Sequence, residues 1–222
     1  MTRAAGGVTT ASAWTFALVD LAGFTALTET HGDDAAADLA TEFADLARAQ
    51  LGPDDKFVKA IGDAVLLASP DPERGLQLLK RLLDACSARE QYPTTRSGVH
   101  HGPASARGDD FFGATVNLTA RLAARASGGQ VLGTGPVAAA ARDLGLESQD
   151  LGDMVLKNVS ESTRVHAIRL GTPLTMESID PICRMRVRHQ DAAGFLRHQG
   201  VEHWFCSAEC AAIFAARVGS SE

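Results

Sequence analysis

No stretch of this chain approaches the roughly 18 consecutive apolar residues that a membrane-spanning helix needs, and the segment Met1 to Ser12 lacks the apolar core of a secretory leader. The sequence therefore predicts a soluble, cytoplasmic protein with no membrane partner. Basic charge is also short: 21 Lys and Arg stand against 27 Asp and Glu, a net charge of -6, with no local run of basic residues. Without a positive field nothing would hold a phosphate backbone, so nucleic acid is excluded as a partner. Internal repeats are lacking as well. Cysteine is sparse and uneven, with Cys86 alone and Cys183, Cys206 and Cys210 close to the C-terminus. That asymmetry points to a metal rather than to a disulfide framework.

What is present is enough apolar material, 45% of 222 residues, for one good-sized core and a small second unit. The run Trp14 to Val19 is rich in β-formers and stops at Asp20, which places a carboxylate at the tip of a buried strand. From Asp33 the pattern becomes helical, with Leu39, Phe43, Leu46 and Ala47 on one face and Gly52-Pro53 as the stop. Phe57 to Ile61 and Ala64 to Ala68 read as a hairpin whose Gly62-Asp63 turn exposes Asp63. A helix is expected from Pro72 to before Tyr92-Pro93, with Cys86 on its apolar face. A strand at Ser97 to His101, a polar loop at Pro103 to Asp110 and a helix from Ala114 to Ala126 follow. Gln130 to Gly133, Leu146 to Asp153 and Arg164 to Leu170 read as strands around a short helix at Val137 to Arg142, with a further hairpin near Asn158. This mixed order predicts an α+β sheet with helices packed on it. Gly171 to Ser178 reads as a linker.

Five segments stand in a fixed order: FALVDLAGFT, FVKAIGDAVL, GVHHG, DDFFGATVNLTARL and LKNVSE. Together they resemble the catalytic domains of class III adenylate and guanylate cyclases, over Trp14 to Leu170. The resemblance implies a ferredoxin-like sheet for a domain at 1–170, two Mg2+ or Mn2+ ions held by Asp20 and Asp63, and a head-to-tail homodimer. It also assigns ribose orientation to Asn117, transition-state contact to Arg121 and triphosphate binding to Lys157.

The residues agree with that chemistry. Attack of a ribose 3′-oxygen on the α-phosphorus loads negative charge on the entering and leaving oxygens, which hard cations on shared carboxylates offset. Asn117 and Arg121 stand four apart and so share a helix face. Adenine offers an acceptor at N1 and a donor at N6, which a lysine and a carboxylate complement, whereas guanine offers the reverse. Lys59 and Asp110 occupy the base-reading positions of the family, so ATP is the expected substrate. Guanylate cyclase is an alternative that contradicts this pair. His100 and His101 are read as strand and turn residues rather than a general base.

Asp180 to Met185 and Trp204 to Cys210, followed by Phe214, resemble a YHS domain, a small treble-clef-like unit related to TRASH metal-sensing domains, here expected at 179–222. Cys183, Cys206 and Cys210 suit a soft or borderline ion such as Zn2+ or Cu+. Arg184 departs from the glycine usual there, and His203 replaces an aromatic residue and offers a nitrogen donor. A reading of another class makes the chain a catalytically silent dimerisation scaffold that carries a metal- or redox-sensing unit.

Overall fold

A computed structural model describes residues 12–159, 161–171 and 177–219. Met1 to Ala11 and most of the expected linker, 172–176, lie outside the described residues. The elements in chain order are β1 (Ser12–Leu21), α1 (Phe24–His31), α2 (Asp33–Ala49), β2 (Lys56–Ile61), β3 (Ala64–Ser69), α3 (Pro72–Ser87), β4 (Thr95–Arg107) and β5 (Asp110–Phe112). Next come α4 (Ala114–Arg125), β6 (Val131–Thr134), α5 (Gly135–Asp143), β7 (Ser148–Met154) and β8 (Thr163–Ile168). The C-terminal part holds β9 (Glu177–Ile179), β10 (Arg186–Arg188), β11 (Gly194–His198), β12 (Val201–Phe205) and α6 (Ala208–Gly219).

The main sheet runs β2-β3-β1-β4-β6-β8-β7, with β5 paired to the outer half of β4. Each of its first four strands is antiparallel to its neighbour, which with the intervening helices is the ferredoxin-like plan expected. The β4–β6 pairing is parallel.

Strand alternation sorts the sheet into two faces. Ala17, Val19 and Leu21 of β1 enter the large core with Phe43 of α2, Leu79 of α3 and Val137 of α5. Phe16 turns to the other face with Phe111 and, packed against them, Leu18 and Val58. There α4 crosses the sheet and buries Leu122 against Leu132 and Val165. Local signals fix the helix ends. Asp71 caps α3 by accepting from Arg74 N at 2.9 Å, with Pro72 in the first turn. Asp33 and Asp34 open α2, where the helix dipole favours them.

Two expectations need correction. The stretch from Pro103 is not a loop: β4 continues to Arg107 and turns into β5. Pro103 is tolerated because β6 leaves β4 after Val99, so its missing N–H faces an open edge. Glu177 and Ser178, expected in the linker, belong to β9, which pairs with β10. No helix among the described residues is long and apolar enough to cross a membrane.

The C-terminal segment docks on the end of α3. That helix has no basic residue in its last turn. Arg186 of β10, 5% exposed, donates to the carbonyls of Cys86, Ser87 and Arg89 at 2.8–3.0 Å and pairs with Glu177 at 3.4 Å. A cation from another element thus binds the carbonyls at and just beyond the helix end, where the dipole favours positive charge.

Candidate active site

Asp20 shares strand parity with Phe16 and Leu18, so its side chain leaves β1 on the face that carries α4. Arg96 lies directly opposite on β4 and donates to Asp20 Oδ2 at 2.5 Å. Asp63 sits in the β2–β3 turn, and its carbonyl accepts from Leu21 N at 3.3 Å, which fastens the turn to the end of β1. Burial, and then the neighbouring Asp20 charge, push the Asp63 carboxyl up to about 6. Two carboxylates within mutual reach, one countered by Arg96 and the other inclined to hold a proton, form a donor set that a divalent cation fits: hard oxygens with excess negative charge.

Lys59 on β2 and Asp110 on β5 are far apart in sequence, yet Lys59 Nζ donates to Asp110 Oδ2 at 2.7 Å. The bend of β4 into β5 brings them together. That contact holds the Asp110 carboxyl below the usual range, helped by the bond from Phe111 N to Oδ1. Both side chains remain about one-third exposed, 38% and 33%.

Asn117 and Arg121 lie on α4, whose buried positions are Thr115, Thr119, Leu122 and Ala123. Asn117 is exposed and Arg121 half-buried. The helix can lie close to β4 because residue 98 is glycine: a Cβ there would come within 2.3 Å of the Thr119 carbonyl oxygen and of Ala123 N. Lys157 is exposed in the turn between β7 and β8, where Asn158 holds a positive φ of 61°. His100 bonds Thr134 Oγ1 through Nδ1 at 2.7 Å, and burial lowers it to about 4. His101 Nδ1 lies 2.9 Å from Thr15 Oγ1. Cys86 is core, pushed up to about 12 by burial.

A second cluster lies in the C-terminal segment. Cys183 Sγ and Cys206 Sγ are 3.3 Å apart, and Cys206 Sγ and Cys210 Sγ 3.7 Å. His31, the last residue of α1, joins them, so that four ligand atoms lie within 4.8 Å of one another. His203 is not the fourth member. On β12 it points to the same side as Phe205 and packs its ring on Phe214, with centroids 4.6 Å apart. Arg184, at φ 66°, adopts the left-handed turn that a glycine would favour. The fully buried Asp180 accepts from the backbone N–H of Ile182 and of Cys206, both at 2.8 Å.

Arg96, His31, Asp180 and Arg186 were not singled out from the sequence. Arg96 was legible in principle, since it stands one residue before the strand expected at Ser97. His31 had no local signal, because its partners are 152 to 179 residues away.

The adenylate and guanylate cyclase catalytic domain family matches residues 9–169. A pH-sensitive adenylate cyclase of Mycobacterium tuberculosis is 34% identical over 165 residues, 72% of this chain and 42% of its own length. An adenylate cyclase of Streptomyces griseus is 36% identical over 120 residues, 54% of this chain and 30% of its own. The chain thus spans less than half the length of these relatives. Among solved structures, an adenylate cyclase of Trypanosoma brucei in its monomeric state aligns with a TM-score of 0.66 at 22% identity, over 74% of this chain and 92% of that one, a likeness of fold. Motif order, sheet topology and the family match over most of its length agree, and the chain belongs to the adenylate and guanylate cyclase catalytic domain family.

Proposed function

We propose that the chain converts ATP to 3′,5′-cyclic AMP and pyrophosphate at a site assembled from two copies. The observation that carries this reading is the Lys59–Asp110 contact at 2.7 Å. It sets one donor and one acceptor side by side at a partly open edge, the complement of adenine N1 and N6. Guanine would set a donor against Lys59 and an acceptor against Asp110, which leaves both unpaired. Two relatives that carry the adenylate cyclase name agree.

Asp20 and Asp63 would hold two Mg2+ or Mn2+ ions. When bound, such ions supply positive charge beside the 3′-oxygen and the phosphate oxygens. The chain's own residues do the rest. Asn117 orients the ribose so that its 3′-oxygen lines up with the α-phosphorus. Arg121 donates to the phosphoryl oxygens as charge builds, and Lys157 binds the triphosphate. A new bond forms from the 3′-oxygen to the α-phosphorus, the bond to the β-phosphate oxygen breaks, and pyrophosphate and one proton leave.

A head-to-tail pair supplies Asp20 and Asp63 from one copy and Lys59, Asp110, Asn117 and Arg121 from the other. Exposed apolar side chains support such an interface. Ile61 (52% exposed), Phe112 (54%) and Val155 (86%) each stand within two residues of Lys59 or Asp63, Asp110 and Lys157 respectively. Isolated apolar exposure is ordinary, but at the three segments that carry the site it marks a surface to be covered. The segment 179–222 reads as a YHS-like, treble-clef-like unit in which Cys183, Cys206 and Cys210 bind a thiophilic ion, Zn2+ or Cu+, and modulate the cyclase.

Mixing two inactive variants tests the composite site. Asp20→Ala and Arg121→Ala proteins form mixed pairs in which one site carries both defects and the other carries neither. Activity is expected to return on mixing, with subunit exchange verified by tagged pull-down. Exchange without activity would contradict the assembly.

A further inference from the structure

We propose that His31, from the cyclase domain, completes a four-coordinate site with Cys183, Cys206 and Cys210 for a Zn2+-class cation, and that this ion clamps the C-terminal segment to α1. The inference rests on the reading of the three thiols as ligands given above and adds the fourth ligand and its consequence.

The donor set has the dimensions of a tetrahedral site. With metal–sulfur bonds of about 2.3 Å, tetrahedral sulfurs lie about 3.8 Å apart. The Cys183–Cys206 and Cys206–Cys210 separations are 3.3 and 3.7 Å, and the imidazole nitrogen falls within the same 4.8 Å group. These sulfurs are too far apart for a disulfide, whose bond is about 2.05 Å, and the described cysteines are all free thiols. His31 Nε2 is buried and has no hydrogen-bond partner. A ring that joins three sulfurs within 4.8 Å and keeps a buried nitrogen unpaired is the arrangement a cation resolves.

The turns that carry the thiols are fixed independently of any ion. Asp180 accepts from Ile182 N and Cys206 N, so one buried carboxylate ties the Cys183 turn to the Cys206 turn. Cys210 follows one helical turn after Cys206 at the start of α6, and its N–H bonds Ser207 Oγ at 3.1 Å. Three donors are thus pre-positioned on the C-terminal segment, and the fourth comes from another unit.

The position of that fourth donor gives the ion its consequence. Helix α1 begins four residues after Asp20 and ends at His31. At its near end, Gly23 lies under Arg184: a Cβ on Gly23 would sit 2.4 Å from Arg184 Cβ. The C-terminal segment therefore touches the start of α1 through Arg184 and grips its end through the ion on His31. Loading the site restrains the stretch that follows Asp20, which is how occupancy reaches the catalytic carboxylates.

Titration of chelator-stripped, reduced full-length protein with Co2+ tests the assignment. It compares wild type with His31→Gln, His203→Gln and Cys206→Ser, each shown folded by circular dichroism. Wild type is expected to bind one Co2+ per chain at the thiols, counted by intense sulfur-to-cobalt charge-transfer absorption and the visible bands of tetrahedral cobalt, which ions on carboxylates do not give. His31→Gln should weaken binding by about a hundredfold and alter the visible bands, because one of four ligands is lost. His203→Gln should behave as wild type. Hydrogen exchange across residues 24–32 should slow on Co2+ binding in wild type but not in His31→Gln. Equal affinity and spectra for wild type and His31→Gln, or the loss appearing in His203→Gln instead, would overturn the clamp while leaving the thiol reading intact. Wild-type binding by Cys206→Ser, or no binding by wild type, would remove the thiol reading itself.

Discussion

Replacing Gly98 by alanine should disable the proposed cyclase activity without touching a single residue proposed for the site. The added Cβ would stand 2.3 Å from both the Thr119 carbonyl oxygen and Ala123 N, and 2.8 Å from Leu122 Cβ. Two of these neighbours are backbone atoms of α4, so no rotamer change relieves the clash. Ordinary contact lies near 3.5 Å, so the helix must retreat from β4 by about 1 Å. Overpacking of that kind costs about 1–3 kcal/mol, which corresponds to a fall in melting temperature of roughly 3–10 °C for a domain of this size. The larger effect expected is on turnover, because α4 carries Asn117 and Arg121, the proposed ribose and phosphoryl contacts. A misplacement of about 1 Å in a positioning element lowers turnover by about a hundredfold. Cyclic nucleotide formation and thermal unfolding, measured on the same preparation, check both numbers. Unchanged turnover and melting temperature would refute the argument that the close approach of α4 to β4 sets the site.

Loss of Arg186 should loosen the C-terminal segment: Arg186→Ala leaves Glu177 and three carbonyls at the end of α3 without their cation. The expected destabilisation is about 3 kcal/mol, read by denaturant unfolding, and an unchanged midpoint would contradict the docking role. His100 gives a pH signature. Its folded value of about 4 lies below the ordinary 6.5, so the unfolded chain binds the extra proton and stability present above pH 6.5 is lost as pH falls towards 4. The loss is at most about 3 kcal/mol and is reduced by the partial exposure of the ring. His100→Gln should flatten that part of the stability profile, and an unaltered slope would show that the acid sensitivity arises elsewhere.

Much of this was legible in the sequence because the signals were local. An apolar run that stops at Asp20, a Gly62-Asp63 turn and the i, i+4 spacing of Asn117 and Arg121 each reported their own element. The length of β4 was not legible, because Gly102-Pro103 is an ordinary strand terminator unless the neighbouring strand has already ended. That Lys59 and Asp110 work as a pair was expected only through family resemblance, and their direct contact was not expected at all, since nothing in either segment says that β5 folds back beside β2. His31 and Arg186 were invisible for the same reason in stronger form. Each acts on groups about 100 residues or more away, and only the docking of the C-terminal segment on α1 and α3 brings them into range.

The most direct test is chemical. Purified protein is incubated separately with ATP and GTP in the presence of Mg2+ or Mn2+, and the products are separated by chromatography. The account predicts 3′,5′-cyclic AMP and pyrophosphate from ATP, with GTP turned over at least about a hundredfold less efficiently because Lys59 and Asp110 are left unpaired against guanine. Equal rates with both nucleotides would contradict the base-reading assignment, and no cyclic product from either would contradict the enzyme.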